Sequence, residues 1–155
     1  YARIVARDLG RDVRDIPGSG AAGGLGAGLM AFLGGKLRRG IELVMDIVGL
    51  ENAVRGADLV ITGEGEINNQ TSYGKVPVGV ARIAGIYGVP VVALVGSIGE
   101  GAHTVYEQGI NAIMSIVPGP RPLSYCLENA AFLLEEAAER LMRLILVGRT
   151  GGSRP

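Results

Sequence analysis

Asp58-Leu59-Val60-Ile61-Thr62-Gly63-Glu64-Gly65-Glu66-Ile67-Asn68-Asn69-Gln70-Thr71-Ser72-Tyr73-Gly74-Lys75 is an apolar run that passes into small, acidic, amide and hydroxyl side chains, with a lysine before the next apolar segment. Leu59 to Ile61 reads as a buried strand and Val76 to Tyr87 as the helix after it. The same alternation continues with a strand at Val91–Val95, a helix at Ala102–Gln108, a strand at Ala112–Val117 and a long helix at Leu123–Val147. The strands are short, continuous and β-branched, as strands are when helices cover both faces. Parallel pairing with right-handed crossovers follows from that order. Ligands of open α/β sheets lie outside the carboxyl ends of the strands, which makes the loop Thr62 to Lys75 the expected seat of the chemistry.

Upstream the pattern is different. Tyr1 to Leu9 carries apolar residues at helical spacing with Gly10 as a stop, and Val13–Ile16 reads as a short extended piece. Ala21–Leu33 is an Ala- and Gly-rich helix, Leu37–Arg39 a candidate strand, and Ile41, Leu43, Val44, Ile47 and Val48 the apolar face of another helix. Glu51 to Arg55 is a further helical turn. In the last helix Leu123, Leu127, Ala130, Leu134, Ala137, Leu141 and Ile145 make one stripe, with Glu136–Arg140 and Glu139–Arg143 at i,i+4. Gly148 onward lacks apolar content and is expected to fray.

The bulk numbers narrow the classes. A chain of 155 residues with 48% apolar content is one domain or parts of two. Fifteen basic and fifteen acidic side chains balance, so neither nucleic acid nor a membrane surface is implied as partner. A single cysteine excludes an internal disulfide framework and fits the cytoplasm. No apolar run has membrane-helix length. The chain starts at Tyr1, not at methionine, and a fragment is the expectation.

Within the loop, Gly63 and Gly65 allow close backbone approach to a ligand, and Glu64 and Glu66 offer oxygens to a divalent cation. Asn68, Asn69, Gln70 and Thr71 supply donors and acceptors for a hydroxylated substrate, and Lys75 sits where a helix start favours phosphate. The plainer reading is a solvated βα loop with an ordinary cap. The Walker A spacing is absent.

Gly18-Ser19-Gly20-Ala21-Ala22-Gly23 fits G-x-G-x-x-G, with Glu42 near the acidic position of a dinucleotide site. Its preceding segment is short and ends in Pro17. Helix packing through small residues and an anion-binding loop remain open beside the dinucleotide reading. Gly96 to Gly101 and Pro118 to Pro122 leave strand ends on the same side as Thr62–Lys75 and are expected to border one crevice. Ser97 is a nucleotide contact or a helix cap, and Arg121 a phosphate ligand or an exposed loop arginine. His103 has no clear partner, and Cys126 falls on the apolar stripe.

Three blocks together resemble the bacterial-type glycerate kinase family. They are Asp15 to Gly26; Leu59-Val60-Ile61-Thr62-Gly63-Glu64-Gly65 with Gln70-Thr71 and Gly74-Lys75; and Gly88-Val89-Pro90-Val91 leading to Gly96-Ser97. The resemblance runs from Tyr1 to about Arg149. It implies transfer of the γ-phosphoryl group of ATP, with Mg²⁺, to a hydroxyl of D-glycerate. It also implies a fragment of a two-domain kinase whose N-terminal half is missing. Residues 1–50 would end an inserted α/β domain carrying the Gly-rich loop. Residues 56–148 would be the C-terminal βαβαβα part of a Rossmann-like parallel sheet, and 149–155 a tail.

By this likeness Glu64, Asn68 and Lys75 are the catalytic candidates, with Glu64 on Mg²⁺. Gly18, Ser19, Gly20, Gly23, Gly24, Thr62, Gly63, Gly65, Glu66, Gln70, Thr71, Gly74, Gly96 and Ser97 would bind substrate or nucleotide. The family shows Arg-Ile-Asp where this chain has Glu66-Ile67-Asn68, a charge inversion and the loss of a possible base. Half a cleft is expected to be inactive alone. The competing readings are a dinucleotide-binding oxidoreductase domain using Gly18–Gly23 and a non-catalytic assembly module.

Overall fold

The computed structural model describes residues 1–73 and 75–151. It divides into two compact units, Tyr1–Leu43 and Val44–Pro155.

The first unit holds α1 (Ala2–Leu9) and α2 (Ala21–Leu33). Gly10 ends α1 in the left-handed region at φ 65°, a conformation that costs glycine nothing. Val5 and Val13 pack with Ala27 and Ala31 of α2 as a small core. Neither Val13–Ile16 nor Leu37–Arg39 is a strand. The first is a coil-to-turn segment, in which Asp12 accepts from the Arg14 N–H and Ser19 N–H donates to Ile16 O at 3.0 Å. Local bonds of this kind compete with extended pairing.

The third helix, α3 (Gly40–Val48), spans the boundary between the units. Met45 is buried, whereas Leu43, Val44, Ile47 and Val48 of the expected apolar face are exposed. Next comes α4 (Leu50–Val54). Arg55 donates to the Tyr87 hydroxyl at 3.1 Å and lies 5.3 Å from the Tyr87 ring centroid. That hydroxyl donates in turn to Glu51, which fixes the end of α4 beside the next helix.

The second unit contains the mixed α/β architecture expected. Its parallel sheet has the order β1-β2-β3, formed by Val60–Ile67, Val91–Ile98 and Ala112–Ser115. Helix α5 (Val76–Ile86) links β1 to β2, and a 3₁₀ turn at Ala102–Gln108 links β2 to β3. Val91, Ala93 and Val95 of β2 join Val78, Ala81 and Ala84 of α5 in the larger core. Val92 and Leu94 face the other way onto Leu141. Burial on both faces explains the unbroken apolar run of β2.

The last helical segment differs from expectation. It is α6 (Leu123–Glu128) and α7 (Ala130–Gly151), broken at Asn129, whose backbone N–H and side-chain amide both donate to Tyr125 O. The buried stripe of α7 is Leu133, Ala137 and Leu141, so Leu134 lies outside it. Both i,i+4 ion pairs form, Glu136–Arg140 at 3.9 Å and Glu139–Arg143 at 2.6 Å. Residues up to Gly151 are helical, beyond the expected start of the tail, and residues 152–155 of that tail lie outside the described residues.

Candidate functional site

β1 and β2 are longer than the alternation of apolar residues shows, whereas β3 ends at Ser115, short of the expected Val117. β1 does not stop at Ile61; it carries Thr62, Gly63, Glu64, Gly65 and Glu66 inside the sheet, with Glu64 in register with Val95 and Glu66 with Ser97. The first half of the expected loop is therefore strand, and the loop proper begins at Asn68. Likewise Gly96, Ser97 and Ile98 belong to β2.

Two glycines make this pairing possible. A β-carbon on Gly63 would stand 2.9 Å from Leu94 O, and one on Gly96 would stand 2.5 Å from Gly65 O. Neither position has positive φ, so the requirement is close approach of backbones.

Past Ile67 the chain turns through a 3₁₀ segment at Asn69–Tyr73 before α5 starts. Thr71 is fully buried and organises the turn. Its hydroxyl accepts the Asn68 N–H at 3.2 Å and lies 3.5 Å from Glu64 Oε2 as donor. Asn68 Oδ1 accepts the Gln70 N–H at 3.0 Å. Asn69 N–H donates to Glu100 O at 3.0 Å, which ties the loop after β1 to the loop after β2.

Lys75 stands at the N-cap of α5, where no side chain caps the helix and Pro lies in the first turn. Its ammonium is 3.5 Å from Glu64 Oε1, with the lysine side chain 41% and the glutamate 23% exposed. A half-exposed cation at an uncapped helix start is suited to an anion. Gly74, named with this corner, lies outside the described residues.

Glu66 and Asn68, where the chain departs from the glycerate kinase pattern, bond to one another. Asn68 Nδ2 donates to Glu66 Oε1 at 2.6 Å, and Ser97 Oγ donates to Oε2 at 3.1 Å. The Ser97 hydroxyl thus joins β2 to the carboxylate of β1.

A cavity of about 610 Å³ opens at the carboxyl ends of all three strands. Its origin lies in the register. β3 ends at Ser115, opposite Val95, while β2 runs on to Ile98, so the last residues of β2 have no third strand beside them. Gly65, Gly96, Ser97 and Ser115 border one side, Ile116, Val117 and Arg121 another, and Leu123 and Leu127 of α6 a third. The Ser115 hydroxyl donates to Gly96 O at 3.3 Å where the sheet would otherwise continue. A smaller cavity of about 330 Å³ adjoins it, sharing Glu64, Gly96, Ile116 and Ala130.

The structure therefore gathers Gly63, Glu64, Gly65, Glu66, Asn68, Gln70, Thr71, Lys75, Gly96 and Ser97 toward one end of the sheet, while Thr62 pairs with Ala93 nearer its middle and lines neither cavity. The walls formed by Ile116, Val117, Leu123, Cys126, Leu127 and Ala130 were not foreseen. The run Pro118 to Pro122 directly after a strand was the available sign, since three prolines delay the next helix and leave an opening before it. Arg121 borders this cavity with its guanidinium 5.2 Å from the Tyr125 ring centroid.

Gly18, Ser19, Gly20, Gly23 and Gly24 belong to the other unit. Ala22, Gly23 and Gly24 have positive φ within the first turn of α2. A β-carbon on Gly26 would stand 2.7 Å from Gly18 O, so that glycine serves packing of the loop on its own helix. No strand precedes the loop, and the context that a dinucleotide fingerprint needs is missing.

Among the described residues no three of His, Cys, Asp and Glu cluster as a metal site, and no helix is long and apolar enough to cross a membrane.

A model described as the glycerate kinase family matches residues 1–146. The chain is 50% identical over 141 residues to a glycerate kinase of Halalkalibacterium halodurans, covering 91% of this chain and 37% of that protein. It is 45% identical over 150 residues to a glycerate kinase of Bacillus subtilis, covering 97% and 39%. With a glycerate 2-kinase of Escherichia coli it shares 40% over 148 residues, covering 96% and 39%. A crystal structure named for glycerate kinase 2 of Salmonella typhimurium LT2 superposes with a TM-score of 0.76 at 44% identity, over 97% of this chain and 38% of that one. The chain thus spans 37% to 39% of the length of these relatives.

Proposed function

The chain belongs to the glycerate kinase family, and from that premise we propose that it forms the C-terminal part of a cytoplasmic, ATP-dependent kinase acting on a hydroxyl of D-glycerate. The observation that carries the reading is the corner where Lys75, at the uncapped start of α5, meets Glu64 of β1 beside the strand-end cavity. Phosphoryl transfer depends mostly on positioning and on neutralising charge, and this corner offers both.

In this reading Lys75 neutralises the transferred phosphate, and the backbone of Gly63 to Gly65 approaches the phosphate chain closely. Thr71 and Asn68 act as positioning residues, since their polar groups hold the turn that carries Lys75 and the Glu64 carboxylate. Gln70 has its side chain exposed at the same turn and is assigned to the acceptor. Mg²⁺ commonly binds through one or two carboxylates plus phosphate oxygens, so Glu64 alone fits such a site and needs no cluster of three. When bound there, the ion would supply charge neutralisation.

The chain's division after Leu43 supports assigning residues 1–50 to the end of an inserted domain and 56–148 to a Rossmann-like domain. The loop Gly18 to Gly24 is assigned to an anion from that inserted domain. The oxidoreductase reading lacks its strand, and no observation favours the assembly module.

The test is ADP release coupled to D-glycerate, measured on the full-length protein that carries this chain. Turnover is expected, and Lys75→Ala should lower kcat by about 100-fold or more, in line with loss of one charge-stabilising group. Absence of turnover, or a Lys75→Ala variant with unchanged kinetics, overturns the reading.

A further inference from the structure

We propose that the cavity at the strand ends takes the base and ribose of the nucleotide donor, with α6 as the wall against the base. The proposal rests on the phosphoryl-transfer reading and adds the part of the site that selects a nucleoside. Three observations carry it.

The first is the chemistry of the walls. Ile98, Ile116, Val117, Leu123 and Leu127 line the space, and its polar side chains are those of the strand ends together with Arg121 at the rim. A flat, uncharged ring gains by leaving water for such a surface. The three-carbon acceptor, with a carboxylate and two hydroxyls, would set mostly polar groups against those apolar side chains.

The second is exposure. Leu123 is 72% and Leu127 69% exposed, although both fall on the expected apolar stripe of the last helix. The break at Asn129 separates α6 from α7, and it is α7 that packs on the sheet through Leu141. The apolar side of α6 is left at the cavity instead of in the core.

The third is continuity. Glu64 borders the cavity and also pairs with Lys75, so a nucleotide with its base against α6 leads its phosphates toward that ammonium. Ser97 and Ser115 border the space between base and phosphates, within reach of a ribose. Arg121 at the rim stacks on Tyr125 and presents a flat cationic face to an entering ring.

Cys126 is half-buried, lines the same cavity and is the chain's one cysteine, which makes it a reporter. In the full-length protein its alkylation by iodoacetamide is followed by mass spectrometry of the peptide that contains it. Adenosine or ADP at about ten times its Kd should slow the reaction about tenfold, the factor set by occupancy. D-glycerate and tripolyphosphate should leave the rate unchanged.

Leu127→Glu, at a position exposed in this chain, should raise KM for ATP about tenfold with kcat and KM for D-glycerate unaltered, the pattern of lost ground-state binding, in a variant whose Tm matches the parent's. At the same adenosine concentration it should also cut protection of Cys126 from about tenfold to about twofold. Protection by D-glycerate but not by adenosine, or a Leu127→Glu variant with the parent KM for ATP, overturns the assignment. Turnover without protection removes the base pocket and leaves the kinase reading standing. Protection by adenosine without turnover upholds the pocket and removes the kinase reading.

Discussion

Glu66 and Asn68 would each look damaging if taken separately, one for inverting a charge near phosphates and the other for removing a carboxylate. Together they form a bonded pair, with the Asn68 amide donating to Glu66 at 2.6 Å and Ser97 completing the carboxylate's partners. Asn68→Asp replaces the donor by a second carboxylate. Like charges at that spacing raise the folded-state pKa of the pair, so the variant's stability deficit is absent at low pH and appears as pH rises through about 4. A loss of about 1 kcal/mol at pH 7, read as a lowered Tm against the parent and shrinking at pH 3.5, is expected. Combining Asn68→Asp with Glu66→Arg restores opposite charges and should recover the loss. A variant with the parent's Tm at both pH values would show that the pair holds nothing.

Gly96 makes the complementary point. It stood out in the sequence as part of a glycine-rich loop, whereas the reason for it is backbone contact inside the sheet, 2.5 Å from a would-be β-carbon to Gly65 O. Gly96→Ala should therefore destabilise by about 1–3 kcal/mol, as overpacking does, measured by denaturant midpoint. No pattern along the chain shows which carbonyl a missing side chain would strike.

At the scale of elements, period and length were read with unequal success. α5 was placed within a residue, because Val78, Ala81 and Ala84 face the core at helical spacing. β1 and β2 were read three or more residues short, because Gly63, Glu64, Gly65, Glu66 and Gly96 are poor strand formers held there by pairing. The final helix was read as continuous, because its stripe runs without interruption across Asn129. Ala137 and Leu141 of that stripe are buried as expected and only Leu134 falls outside it, its place taken by Leu133, which a pair of substitutions tests. Leu141, buried against Val92 and Leu94, should cost about 2–5 kcal/mol when changed to Ala. Leu134→Ala, at an exposed position, should stay within about 0.5 kcal/mol of the parent. Equal losses would return Leu134 to the buried stripe.

On the scale of the whole molecule, apolar side chains stand exposed on several helices of both units. Phe32 and Leu33 end α2, Ile47 and Val48 end α3, and Phe132, Leu144 and Leu146 lie along α7. The relatives are more than twice as long as this chain, which covers 37% to 39% of them. A reaction joining two substrates needs donor and acceptor fixed in one geometry, and loss of that geometry is worth several powers of ten in rate. The base pocket, by contrast, lies wholly within Val44–Pro155. The two properties should therefore separate. The 155-residue chain by itself is expected to bind adenosine, seen as slowed alkylation of Cys126, while its turnover of ATP and D-glycerate falls below about one hundredth of the full-length rate. Turnover by the chain alone at the full-length rate would mean that both substrates are held by residues 1–155, and the acceptor would then have to be sought among the groups already assigned here.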